Sequence, residues 1–155
     1  MTPNKPTNAY EIIEGLRTFA SNHKQIQAFD VGPMDEADVA KLSAAGHPLM
    51  YVTLLDALMD EGTAEISLEI LIGTLQPPDL ESRVNVQSNM LYIMKDIIAF
   101  LKHHDYDDSF VPRVTLDLPV TAEAFVYKLD NLLVGFTSIV RLQFDNTNDL
   151  CLVPD

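Results

Sequence analysis

Hydrophobic and polar positions along this chain follow two periods in turn. After a polar, proline-bearing start, MTPNKPTN, the residues Ile12, Leu16, Phe19 and Ala20 recur at helical spacing, with Thr7 or Asn8 placed to cap them. That helix is predicted to stop near Ser21-Asn22-His23. QIQAFDVG, with Ile26, Phe29 and Val31 before Gly32-Pro33, reads as a short strand closed by a turn. Asp35 is placed to cap a short helix from roughly Glu36 to Ala45, with Gly46 at its C-terminal end. His47-Pro48 then biases the chain toward an extended path. Within the dense apolar run PLMYVTLLDALM, Leu49 to Leu55 is predicted as a buried strand, and Asp60-Glu61-Gly62 as a turn.

The clearest strand pattern runs from Ala64 to Leu75. Ile66, Leu68, Ile70 and Ile72 alternate with Glu65, Ser67 and Glu69, and the pattern then becomes apolar on both faces. One face should pack while the other is wet at one end. Gln76-Pro77-Pro78-Asp79 breaks the sheet. The strongest helical stripe follows, from about Leu80 or Glu81 to about His103, carried by Val86, Met90, Ile93, Met94, Ile97 and Leu101. Beyond the polar connector HHDYDDSF, Val114, Leu116 and Leu118 alternate with Thr115 and Asp117 up to Pro119. From about Phe125 to Phe144 two antiparallel strands are expected, turning near Asp130-Asn131, with Val134, Phe136, Ser138, Val140, Leu142 and Phe144 on one face. The order α-β-α-β-β-α-β-β-β predicts a single α+β domain, a mixed and mostly antiparallel sheet carrying an N-terminal helix and one long amphipathic helix. Residues 1–8 are expected to form a flexible arm and residues 145–155 an irregular tail.

Composition narrows the classes. The chain has 155 residues and 47% hydrophobic content, so one core is affordable without staples, and disorder is excluded. No apolar run reaches the ~18 residues of a membrane-spanning helix, and the start lacks the apolar stretch of a secretory signal. One cysteine excludes an internal disulfide framework and an all-cysteine zinc site. The net charge of −13 opposes a general grip on nucleic-acid phosphates or on an anionic membrane. It suits solubility, a cationic partner, or a surface past which DNA slides without sticking.

Chemistry-bearing motifs are sparse. His103-His104-Asp105-Tyr106-Asp107-Asp108 holds good donors for a divalent metal, but adjacent histidines diverge and the acids lack calcium-loop spacing. Cys151 sits in the apolar setting LCLVP, which suits a small buried hydrophobe better than a nucleophile. The six glycines are isolated, so no phosphate-cradling loop is present, and GxSxG and HExxH motifs are absent. Asp56, Asp60 and Glu61 next to Gly62 fit a turn rather than catalytic carboxylates. The expectation is a protein that acts through its surfaces, with no enzymatic activity and no cofactor.

Taken in order, HPLMYVTL, AEISLEILIGTL, the polar break QPPDL and VNVQSNMLYIMKDIIAFL resemble small structural proteins of tailed bacteriophages. The stretch FVYKLDNLLVGFTSIVRLQFDNTNDLCLVP, with its central Gly135-Phe136 pair and its ending at Asp149, Cys151 and Pro154, is similar to the closing hairpin of such proteins. The resemblance spans about Tyr10 to Pro154. It is nearest to tail terminators, which form a ring, commonly a hexamer, that caps the tail tube and joins it to the neck. It implies a virion protein of the tail or neck, assembled in the host cytoplasm. Its partners would be further copies of itself, the tail tube and the neck or connector proteins, with DNA passing through unbound and no membrane involved. For a terminator, the candidate interface residues are Gln76, Pro77, Pro78 and Asp79, together with His103, His104, Asp105, Asp107 and Asp108. Glu65 and Glu69 are candidate acids facing a lumen or solvent.

Three alternatives compete with that reading. One is another neck or head-completion protein. A second is an acidic mimic of DNA that inhibits a host nucleic-acid-binding protein, favoured by the charge and opposed by the scatter of acids along the chain. The third is a small metal-dependent enzyme built around His103, His104 and Asp107.

Overall fold

A computed structural model describes residues 9–33, 46–75, 77, 79–102, 114–127 and 133–146. Helix α1 (Ala9–Asn22) is followed by strand β1 (Ala28–Val31), then β2 (Leu49–Met59) and β3 (Gly62–Leu75). Helix α2 (Leu80–Lys102) leads to β4 (Thr115–Leu116), β5 (Ala122–Tyr127) and β6 (Leu133–Asn146). The six strands form one sheet in the order β1-β2-β3-β6-β4, and β5 also pairs with β6. Among the described strands, only β1 runs parallel to its neighbour, β2; the other pairings are antiparallel. This is the expected α+β architecture with a mixed, mostly antiparallel sheet.

The period-two pattern decides what the two faces of the sheet do. Ile66, Leu68, Ile70 and Ile72 of β3 point to the helices, in one cluster with Met50 and Val52 of β2 and Val140 and Leu142 of β6. α1 adds Ile12, Leu16 and Ala20, one buried side chain per turn. α2 adds Met90, Ile93, Met94, Ile97 and Leu101, the predicted stripe, while Val86 is only half-buried. The helices touch each other where Phe19 stacks on Phe100 at 4.6 Å between ring centroids. Beside that pair, His23 Nε2 and Asp96 Oδ2 lie 2.8 Å apart.

Differences from the sequence expectations have local causes. β2 is twice as long as its buried part: Leu49 to Thr53 are buried, but 54–59 are exposed although strongly apolar. The strand continues because β3 pairs with it through Met59↔Ala64, with a bulge between Leu54 and Asp56. The turn falls at Asp60-Glu61-Gly62 as expected. Asp60 N donates to Thr63 O at 2.9 Å, and Gly62 takes the positive φ of +84° that a side chain resists. The strand expected over Val114 to Leu118 shrinks to Thr115–Leu116, and Leu118 is half exposed instead of inward. Asp117 N makes the last bond to Arg141 O at 3.0 Å, and Pro119 has no N–H with which to continue the ladder. β6 runs two residues past Phe144, to Asn146, so the start of the expected tail belongs to the sheet. The expected helix over 36–45, the arm over 1–8 and the turn at Asp130-Asn131 lie outside the described residues.

Candidate functional site

The face of the sheet turned away from the helices is the surface available for function. By register it presents Glu65, Ser67, Glu69 and Leu71 of β3 beside Gln143, Arg141, Ile139 and Thr137 of β6. One end of this face is sealed. Leu49, Tyr51, Leu71, Phe125 and Leu133 form a second, smaller apolar cluster there. Glycine makes it possible: a Cβ at Gly73 would press on Phe125 Cζ at 3.2 Å, and one at the opposed Gly135 would run into the Ile72 carbonyl oxygen. This second cluster is the physical reason why β3 becomes apolar on both faces toward Leu75. Tyr51 closes its edge, the hydroxyl donating to Pro33 O at 3.0 Å.

The rest of the face is polar and acidic, with Ser67 and Thr137 buried, Glu65 and Glu69 half-buried, and Ile139 and Arg141 exposed. A hollow of about 560 Å³ opens on it, lined among others by Glu69, Asp117, Glu123, Thr137, Ile139 and Arg141. The segment from Asp117 to Thr121, anchored by the bond to Arg141 O, forms one wall. Next to the hollow, Glu65 has its carboxyl pushed above the ordinary range. Lost hydration is the largest cause, followed by the charge of Asp117 and a side-chain hydrogen bond shared with it; Asp56 adds to the rise and Arg141 opposes it. A hydrogen bond between two carboxyl groups needs one proton held between them, so crowding here favours proton uptake. Such a face attracts cations and repels phosphate.

Among the described residues, Thr53, Ser138 and His47 hold buried side-chain polar atoms without a hydrogen-bond partner. Thr53 Oγ1, on the strand position opposite Glu69, has no hydrogen-bond partner. Both ring nitrogens of His47 are likewise buried without a partner, and burial lowers its pKa, which keeps the ring neutral. Among the described residues, no group of three His, Cys, Asp or Glu side chains is arranged to hold a metal ion. No described helix is long and apolar enough to cross a membrane.

The residues singled out in the sequence fall in three places. Glu65 and Glu69 lie on the open face. Asp79 caps α2: its Oδ1 accepts from Ser82 N at 2.8 Å and its Oδ2 from Ser82 Oγ at 2.7 Å. The carbonyl of Pro77 accepts from Arg83 Nε at 2.9 Å, so the loop before α2 is tied to the helix by two residues. Gln76, Pro78, His103, His104, Asp105, Asp107, Asp108 and Cys151 lie outside the described residues. Sequence reading missed Asp117, Glu123 and Arg141 as neighbours of Glu69, because they come from three other segments of the chain. It also missed the exposed apolar end of β2. The signal there was an apolar run with no polar alternation beyond the buried strand, ended by Asp60-Glu61.

Comparison of the chain with protein-family models and with curated protein sequences returns no match.

Proposed function

We propose that this protein is a non-enzymatic structural component of a tailed-phage particle, acting as a tail terminator that assembles into a ring between tail tube and neck. The reading rests on the order of strand and helix motifs from Tyr10 to Pro154. The observation that carries it in the fold is the two-sided sheet. One face packs against the helices, and the other carries Glu65, Glu69, Asp117 and Glu123. Facing a lumen, those carboxylates would hold DNA off the wall and leave it free to slide. Ring closure would use heterologous contacts between identical subunits. Another neck or head-completion protein would need the same properties and is the nearest variant of this reading.

A second reading has an observation in its favour. Glu65, Glu69, Asp117 and Glu123, which are spread along the sequence, are brought by the fold onto one face, as an inhibitor that mimics DNA would need. Its signature would be a tight, salt-sensitive complex with a basic host protein.

The deciding experiment is electron microscopy of lysates from a phage with this gene disrupted. Overlong or ragged tails, or filled heads without tails, are expected. Normal virions at normal yield would overturn the structural reading and leave the inhibitor as the one to pursue.

A further inference from the structure

We infer that the hairpin of β2 and β3 in one copy of this chain docks on the outward face of α2 in the next. The hairpin is apolar and acidic. β1 flanks β2 only as far as Val52, and beyond it Leu54, Leu55, Leu58 and Met59 are all exposed, Leu58 at 65%. Residues 54–65 hold four carboxylates, Asp56, Asp60, Glu61 and Glu65, and no lysine or arginine. An exposed apolar group of this size on a strand end marks a surface that another molecule covers.

The outward face of α2 is its complement. Val84, Leu91, Lys95 and Lys102 are separated by seven, four and seven residues, which keeps them on one stripe of the helix. Val84 and Tyr92 are each more than 60% exposed, and Lys95 Nζ lies over the Tyr92 ring at 5.3 Å from its centroid. Asp96, the acid adjacent to Lys95, is turned away toward His23 on α1. Glu81 opens the stripe at its far end, so the cationic half is the C-terminal one. Two exposed lysines on an apolar face are a notable concentration in a chain of charge −13.

Charge decides how the copies meet. Hairpin against hairpin would set two groups of four carboxylates together, and helix against helix would oppose lysines. Hairpin on helix satisfies both and sets Leu58, which by register shares one face of the hairpin with Asp56 and Glu65, against Val84, Leu91 and Tyr92. The two halves of the contact lie on different parts of the molecule, so every subunit offers one of each and the contact propagates. It closes into a ring when the rotation per step closes. This identifies the subunit interface of the proposed ring and rests on that reading only for the closure.

The test is sedimentation velocity of the full chain at low and high salt, with two charge-reversed variants, Lys95→Glu/Lys102→Glu and Asp56→Lys/Glu61→Lys. Circular dichroism and Tm check that both remain folded. Wild type should self-associate, more weakly at high salt, and each variant alone should associate on the order of 100-fold less tightly. An equimolar mixture should reassociate in one-to-one stoichiometry, because the native hairpin of one variant meets the native helix of the other and the two reversed surfaces are again opposite in charge. Variants that assemble as well as wild type, or a mixture that stays monomeric, overturn this contact while leaving the ring reading to the phage experiment. A wild-type chain that stays monomeric overturns it too. If that chain binds a peptide of alternating valine and lysine through the hairpin, the surface belongs to a foreign basic strand.

Discussion

Among the described carboxyl groups, Glu65 has the environment that most favours holding a proton. Its folded-state pKa is raised above the unfolded one, chiefly by lost hydration and by Asp117. Between those two values the native state binds more protons than the unfolded state, so stability falls as pH rises through that window. The contribution is fully present below the unfolded value and lost above the folded one. Glu65→Gln removes the repulsion and lets an amide donate to Asp117. At neutral pH its Tm should exceed that of wild type by about 1–3 °C. The gap should close on acidification, when Glu65 itself becomes neutral. Thermal melts of both proteins across the acid range check this, and a gap of constant size would show that Glu65 and Asp117 do not share a proton. His47 acts in the opposite direction, as a buried base does: with its pKa lowered by burial, stability is present at neutral pH and lost as pH falls.

At the scale of single elements, the sequence reveals most where one period runs unbroken. The α2 stripe and the Ile66 to Ile72 alternation need no partner to be recognised, since 3.6 and 2 residues per repeat already name the element and its buried face. The outward half of β2 escapes this logic. Its apolar residues are not buried, so periodicity reports a core that the monomer does not make. β4 escapes it for another reason, because a pairing bond from Asp117 and a proline end the strand before its pattern ends. The start of α2 is an element decided by one side chain. Asp79 holds two Ser82 groups, which depresses its carboxyl below the ordinary aspartate range. A depressed value gives stability that is present above the unfolded pKa and lost as pH falls through the folded one. Asp79→Ala should therefore lower helicity and Tm at neutral pH, while Asp79→Asn, still able to cap, should keep most of both. Circular dichroism melts decide it, and the deficit of the alanine variant should vanish in strong acid. An alanine variant as stable as wild type at neutral pH would mean that the Arg83 contact to Pro77 holds the helix start without the cap.

For the molecule as a whole, the two sets of apolar side chains on β2 and its neighbours have different destinations. Leu142 is completely buried among residues of both helices and the sheet, so Leu142→Ala removes packing that nothing else replaces and should cost about 2–4 kcal/mol. Leu58 and Met59 are each more than 60% exposed, and their transfer from water contributes little to folding of the single chain. Leu58→Ser/Met59→Ser should therefore stay within about 0.5 kcal/mol of wild type in dilute denaturant titrations, where any assembly is dissociated. The same double substitution should lower the concentration dependence of Tm that self-association would impose on wild type. If it instead destabilises the dilute chain as much as Leu142→Ala does, the hairpin is part of the core of one subunit and has no apolar surface left to give to another. Stability that is unchanged when dilute but lost at high concentration would place the contribution of those side chains between subunits. On that outcome β2 would serve two ends in sequence, with Leu49 to Thr53 supporting folding and Leu54 to Met59 the contact between subunits.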